Sequence, residues 1–504
     1  MDLQLENAQI VTVDDAQRVI ERGWLRTAGR RIAALGAGDS PPVSAGTRRI
    51  DLTGKLLLPG LVNCHLHSHE HIQKARFDNL PMELWQHYVR PPSGIPLGPE
   101  QVYLRTMIGV LEMLRTGTTA AVDDVNHFPA YDETEIEAVF RAYEDAGMRA
   151  CVSVSMLDRR LVEGIPYVRE TLPPALLERI GAVPAPDRAR LLEVARHWAA
   201  RRSDPAARVR FLIAPSAPSR CSDALLAALM DIAERHDLPY FTHVAETRIQ
   251  IVTGEAFYGE SLVAHLDRLG LLRPRLAAFH CVWVDDDDIA RLARGGVTVV
   301  HSPVSNLKLG SGIAPVHRQL EAGIALALGC DGCGSNDSLN SFANLRLAAL
   351  IHKATQASLD RWVGAREALT MATRGGARAI GLADRLGAVS EGWLADLIVI
   401  DCDRPEWLPA GDPVKQLAFC ETGANVVMAI VDGEVVMEDG RLTRIDEAAI
   451  RRGIREMAAR IAPALAAAQA QGDELRPHMA RIYERAVREG GRWSDLPGPY
   501  LPRF

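Results

Sequence analysis

The sequence lacks a run of apolar residues long enough to cross a bilayer. Its longer apolar stretches, such as "AVFRAYEDAGMRACVSVSM", are broken by charge, and a membrane helix needs roughly 20 apolar residues in a row. Its first residues, "MDLQLENAQIVTVDD", have no basic n-region and no apolar h-region. They do not read as a secretory leader, and a cytoplasmic setting is expected. No basic stripe runs along the chain: 57 Lys+Arg and 64 Asp+Glu are mixed throughout, for a net charge of −7. A phosphate backbone calls for such a stripe, so a nucleic-acid polymer is not an expected partner, nor is a membrane. Cysteines paired at zinc-finger spacing are also missing. The eight cysteines are scattered, and only Cys330 and Cys333 form a CxxC. Free thiols in a reducing compartment are the expectation; a redox or metal pair at Cys330 and Cys333 is the alternative.

What is present fits a large soluble chain. There are 504 residues, 47% hydrophobic and 24% charged, enough to bury a sizeable core. Residues 1–57 alternate apolar and polar positions between turn residues, as short strands do. From Leu58 short apolar runs alternate with longer amphipathic stretches. The runs are "LLLPGLVN", "TTAAVDDV", "MRACVSV", "RVRFLIAP", "PYFTHVAE", "RLAAFHCVW", "GVTVVHSP" and "IALALGCDG". Repeated β-then-α order argues for a parallel sheet, and eight such units fit an α/β fold of the (β/α)8 TIM-barrel kind. Past residue 385 short strands return, with a "VDG" hairpin signal. The expected organisation is a composite β-sandwich from residues 1–57 and 385–445, a barrel over 58–384, and a helical extension over 446–504 ending in "LPGPYLPRF".

The stretch "LPGLVNCHLHSHEH" carries four histidines at alternate positions: His65, His67, His69 and His71. In a strand, residues two apart share a face, yet few metals take four imidazoles from one row. In a parallel barrel the reactive residues sit at the C-terminal ends of strands. Those ends carry His65 and His67, then His243 with Glu246 three residues on, then His280, His301 and Asp331. A lone histidine at a strand end is ordinarily a hydrogen-bonded polar residue; imidazole or carboxylate at five of the run ends points instead to a shared site. Imidazole and carboxylate ligands with an open position suit Zn²⁺ or Fe²⁺ rather than Ca²⁺ or Mg²⁺.

Taken in order, "PGLVNCHLH", "HVAE", "HSPVSNLKLGSGIAP" and "LGCDGCGSNDSLN" resemble the amidohydrolase superfamily. The similarity is to its branch of cytosine-deaminase-like and S-adenosylhomocysteine-deaminase-like enzymes, which also holds triazine hydrolases. It reaches to about residue 442. The resemblance implies one divalent metal, Zn²⁺ or else Fe²⁺, on His65, His67, His243 and Asp331, generating hydroxide from water near neutral pH. It implies that Asp331 takes the water's proton and that Glu246 carries a proton to a ring nitrogen of the substrate. General acid–base help of this kind is worth roughly 10²–10⁴-fold. It also implies that His280 hydrogen-bonds the attacking water or the oxyanion, and it matches His301 to a recurring histidine. Two-metal relatives carry a bridging lysine at the end of the fourth strand. "RVRFLIAPSAPSR" has none, which implies a single metal. Cys330 stands where the family commonly has threonine; a residue next to a ligand on a strand points the other way, into packing.

The segment "NLPMELWQHYVRPP" (79–92) corresponds to one that covers the pocket in this branch. Glu83 would meet an exocyclic amine and Trp85 a flat ring; the alternative is a solvated Glu83 and a Trp85 that only caps the barrel. Asn336, with Ser335 and Asp337, follows the last ligand. "SNLKLGSG" (305–312) reads as a loop over the mouth, and residues 155–175 as a long connection that shapes specificity. By His69 the chain has left the strand, so His69 and His71 become loop residues, with His69 toward the pocket. The reading is a metal-dependent aminohydrolase that deaminates a small nitrogen heterocycle of purine, pterin, pyrimidine or triazine type and releases ammonia. Hydrolytic dechlorination, N-dealkylation or amide hydrolysis at the same metal is the alternative, and a non-catalytic scaffold is a third reading that the full ligand set argues against. The resemblance further implies a homodimer or larger homo-oligomer.

Overall fold

The computed structural model describes residues 2–91, 94–127, 130–183, 186–355 and 358–489. Eight parallel strands form two four-stranded sheets. The first holds Leu61–Leu66, Thr118–Val125, Arg149–Val154 and Val209–Phe211; the second holds Tyr240–Val244, Leu276–His280, Thr298–His301 and Ala325–Leu328. Nearly every residue of these strands is buried, which explains why they read as unbroken apolar runs rather than alternating ones. A parallel bridge between Ile213 and Tyr240 links the two sheets on one side. On the other, the Asp331 N–H donates to the His65 carbonyl at 2.7 Å. One apolar cluster draws Val62, Ala120, Cys151, Phe241, Phe279 and Ala327 from across both sheets.

The two ends of the chain share one nine-stranded sheet. Lys55–Pro59 joins them, pairing parallel with Leu3–Val11 and antiparallel with Leu397–Asp401. The sheet therefore runs through Pro59, and the parallel strands begin at Leu61. The "VDG" signal is a hairpin: Val426–Val431 pairs with Glu434–Glu438. Asp432 and Gly433 both have positive φ, 52° and 74°, as a tight hairpin turn requires. A Cβ on Gly433 would sit 2.1 Å from the Gly29 carbonyl oxygen. Arg149 pins the parallel strands to this sheet by pairing with Asp396 and Asp432.

The extension is a single helix, Glu447–Glu489, containing Pro463 and Pro477. It packs on the helices Met82–Val89 and Pro99–Arg115, and the Tyr88 hydroxyl donates to Asp473 at 2.9 Å. The tail "LPGPYLPRF" lies outside the described residues. Among the described residues no helix is long and apolar enough to cross a membrane, and the eight cysteines are free.

Candidate metal centre

The C-terminal ends of the strands bring the sequence candidates together. His65 lies in Leu61–Leu66, and His67 follows at once. The backbone then turns into a 3-10 helix, Ser68–Gln73. His69 and His71 thus leave the face shared by the first two. His243 is the penultimate residue of its strand, and His280 and His301 end theirs. Asp331 lies three residues past Ala325–Leu328, with φ of 65°, and its amide bond to His65 holds it beside the first strand. His280 also has positive φ, 69°. Such conformations are costly for residues with a Cβ and cluster where the site demands them.

The side chains converge. Asp331 Oδ1 lies 3.4 Å from both His65 Nε2 and His67 Nε2. The rings of His65 and His243 are 5.0 Å apart. Ligand atoms of His65, His67 and His243 lie within 4.8 Å of one another, as do those of His65, His280 and Asp331. The other ring nitrogens are held by the backbone. His67 Nδ1 faces the Asp124 carbonyl at 2.7 Å, and His243 Nδ1 faces the Ser216 carbonyl at 2.6 Å. A carbonyl only accepts, so each Nδ1 carries the hydrogen and each Nε2 presents a lone pair inward.

Burial pushes His65, His67 and His243 below the usual imidazole range, and for His65 and His243 the neighbouring imidazoles push further the same way. Burial thus favours the neutral form of these imidazoles, the form that binds metals. Burial would raise Asp331, but His67, His280 and the Ser305 hydroxyl, which donates to its Oδ2 at 2.5 Å, outweigh it and hold the carboxyl below the usual range. Neither ring nitrogen of the fully buried His65 has a hydrogen-bond partner. A buried polar atom without a partner is costly. Neutral imidazoles, a carboxylate and an orphaned inward nitrogen together fit a divalent metal.

Glu246 faces this group. Its Oε2 is 3.9 Å from His280 Nε2, and burial raises its carboxyl above the usual range. His280 Nδ1 meets Asn306 Oδ1 at 2.8 Å. A narrow cleft opens over the cluster between His67, His243, Glu246, His280 and Asp331 on one side and Met82, Trp85, Gln86, Arg90 and Arg220 on the other.

The substrate-facing candidates divide. Trp85 lines the cleft, its indole N–H donating to the Gly334 carbonyl at 3.0 Å. His69 lines a second, larger cavity instead. Glu83 is buried and accepts from the Thr247 hydroxyl. Asn336 donates to the Cys330 carbonyl at 2.6 Å, and His301 Nε2 meets His352 Nε2 at 3.2 Å. None of these three lines the cleft. The expected loop at 305–312 begins instead in a helix, Pro303–Lys308, opened by a proline at its first turn, where proline's fixed φ suits a helix start. Cys330 is buried, with its sulfur accepting from Asn344. Arg90 and Arg220 escaped the sequence reading. Arg220 ends the very run, "RVRFLIAPSAPSR", that lacks lysine, and a cation there was the available signal.

Comparison with known proteins identifies the family. The Amidohydrolase family model matches residues 56–436, and the chain belongs to that family. It is 36% identical over 470 residues to a 5-methylthioadenosine/S-adenosylhomocysteine deaminase of Syntrophobacter fumaroxidans, covering 92% of this chain and 99% of the relative. Among solved structures it is similar to an adenosine deaminase from Xanthomonas campestris with bound zinc: TM-score 0.78, 30% identity, 92% of this chain and 99% of that one. An atrazine chlorohydrolase from Arthrobacter aurescens TC1 complexed with zinc matches with a TM-score of 0.82 at 26% identity, covering 90% of this chain and 100% of the other. The S-adenosylhomocysteine-deaminase-like enzymes and the triazine hydrolases named from the sequence motifs are therefore both among its relatives.

Proposed function

We propose that this chain is a metal-dependent aminohydrolase that removes the amino group from a nitrogen heterocycle, with 6-aminopurine nucleosides as the first class to test. The observation that carries the reading is the facing pair of Glu246, raised by burial, and Asp331, held low. Two carboxyls lining one cleft, one pushed up and the other held down, suit the roles of acid and base. The deaminase relative at 36% identity supports the choice of leaving group. Trp85, flat and lining the cleft, suits the ring, and His69 is assigned to the substrate's far side. Glu83, His301 and Asn336, engaged with protein partners, are assigned to supporting the site.

His65, His67, His243 and Asp331 would hold one ion, with zinc favoured by the relatives crystallised with it. When bound, the metal would make water a competent nucleophile near neutral pH. Water's oxygen bonds to the amino-bearing carbon as Asp331 takes one of its protons. Glu246 gives its proton to the adjacent ring nitrogen, so the carbon's C=N pair moves onto that nitrogen. Glu246 then takes the adduct's hydroxyl proton and passes it to the amine. The C–N bond breaks, ammonia leaves and a C=O bond forms. Asp331's proton returns Glu246 to its acid form, and His280 steadies the oxygen throughout.

In this reading the eight strands close as a (β/α)8 barrel, the nine-stranded sheet folds over as a sandwich over residues 1–57 and 385–445, and the helix from 446 is an addition to the barrel of 58–384. A cytoplasmic homo-oligomer is the accompanying expectation. The test is ammonia release over a panel of aminated purines, pterins, pyrimidines and triazines, with chloro-triazines and amides alongside. Turnover confined to the chloride or amide compounds would replace deamination with hydrolysis of another bond.

A further inference from the structure

The helix Met82–Val89 covers the cleft and brings Trp85 to it. Its inner side is tied to the strand ends: Trp85 donates to the Gly334 carbonyl, and Gln86 accepts from Arg220 at 2.9 Å. Its outer side is packed by the end of the chain. On the helix Glu447–Glu489, Gly472, Leu475, Met479, Ile482 and Ala486 recur at intervals of three and four residues, which puts them on one face. The last four are buried in one apolar cluster with Trp85, Tyr88 and Val89. That cluster is separate from those of the parallel strands, so the cover helix depends on the terminal helix for much of its packing.

Two contacts fix the approach. A Cβ on Gly472 would sit 2.3 Å from Cδ1 of the Tyr88 ring, so the helices meet at a point where only glycine fits. One residue on, Asp473 accepts from the Tyr88 hydroxyl at 2.9 Å. Tyr88 stands three residues after Trp85 on the same short helix, and a shift of one carries the other. The terminal helix also holds the long connection at 155–175. Val162, Ile165 and Val168 belong to the shared cluster. The Arg485 guanidinium lies 3.9 Å over the Tyr167 ring and pairs with Glu170 at 2.5 Å. Val162 and Leu475 border the larger cavity together with Arg90, Arg105 and Arg220. Among the described residues of the terminal helix, none lines the cleft itself.

We infer that Gly472 and Asp473 are positioning residues of the active site, holding Trp85 over the cleft through Tyr88. The inference rests on the deaminase reading of the cleft and gives the helix beyond residue 446 a part in binding the ring.

The test is ammonia release from adenosine by the zinc-loaded enzyme, with kcat and KM read separately. Gly472→Ala presses on the Tyr88 ring, while alanine suits the helix better than glycine does. A weakened aromatic contact with the substrate should raise KM by about two- to tenfold and leave kcat per bound zinc near that of wild type. Asp473→Ala should act in the same direction. Asp473→Asn, which still accepts from the Tyr88 hydroxyl, should keep KM near that of wild type. In a Trp85→Ala background Gly472→Ala should raise KM no further, because the two act as one unit. KM does not depend on the fraction folded, so a merely structural role would lower apparent kcat and leave KM alone. That pattern in both Gly472→Ala and Asp473→Ala, or a full further rise in the Trp85→Ala background, overturns the positioning role. Should the wild type release no ammonia from adenosine, the nucleoside deaminase reading fails instead. The positioning role is then decided by amide hydrogen exchange. In Gly472→Ala and Asp473→Ala the amides of Met82–Val89 should exchange faster while those of Tyr240–Val244 keep their wild-type rates. Unchanged exchange in Met82–Val89, or equal acceleration in both segments, overturns it.

Discussion

Two buried groups of charge in this molecule are built on opposite terms. Arg149, Asp396 and Asp432 join the parallel strands to the nine-stranded sheet, with side chains no more than 3% exposed. Their fork is closed: Arg149 donates to Asp396 through Nε at 2.7 Å and Nη2 at 3.0 Å, and also to Asp432. The cluster at the strand ends is equally buried but open. Neither ring nitrogen of the buried His65 has a hydrogen-bond partner. A protein that spends stability on unmet polar groups at one end of its strands, while meeting them at the other, marks the first as a place for something else to bind.

The comparison can be broken from either side. The largest effect is expected at the open cluster. Glu246→Gln keeps the shape but removes the proton carrier, so turnover should fall by about 10²–10⁴-fold, with metal content by elemental analysis unchanged. Retained turnover would remove Glu246 from the mechanism. At the closed cluster, Arg149→Ala leaves the Asp396 carboxylate buried without its cation, while Asp432 keeps Arg30 and Arg208. Urea unfolding should show a loss of about 3–5 kcal/mol, while kcat/KM well below the melting range stays near that of wild type.

Asp288 lies between the two extremes. It is buried near the start of the helix Asp286–Arg294, with the Ser261 hydroxyl as its side-chain partner. Burial raises its carboxyl from the usual 3.8 to about 6. Between those values the folded state holds a proton that the unfolded state has released, so stability falls as pH rises through that window and levels off above it. Asp288→Asn has no charge to desolvate. Its gain in urea midpoint over wild type should grow from pH 4.5 to about 6 and stay constant to pH 7; a gain independent of pH would contradict the shift. The smallest effect is expected at Arg190 and Glu193, a pair with side chains 50% and 68% exposed. Arg190→Ala should move stability by less than about 0.5 kcal/mol.

Much of the open cluster was legible because it is local. Alternation in "VNCHLH" placed His65 and His67 together, and the end of that strand at Leu66 separated them from His69 and His71. Repeated β-then-α order gave the parallel strands. What stayed hidden depends on helices crossing over the site. Glu83 and Trp85 are two apart on the helix Met82–Val89, about 200° around its axis, so only Trp85 faces the cleft. Arg220 comes from a segment far from Arg90 and Arg105 in the sequence. Nothing in their local patterns says that they border one cavity.

The central claim is that one ion on His65, His67, His243 and Asp331 supports deamination. Its most direct test is ammonia release from a reactive heterocycle by metal-stripped protein, titrated with Zn²⁺. Activity should be absent at the start, rise linearly and reach a plateau at one equivalent per chain. Full activity without metal, or a rise that continues to two equivalents, would contradict the account.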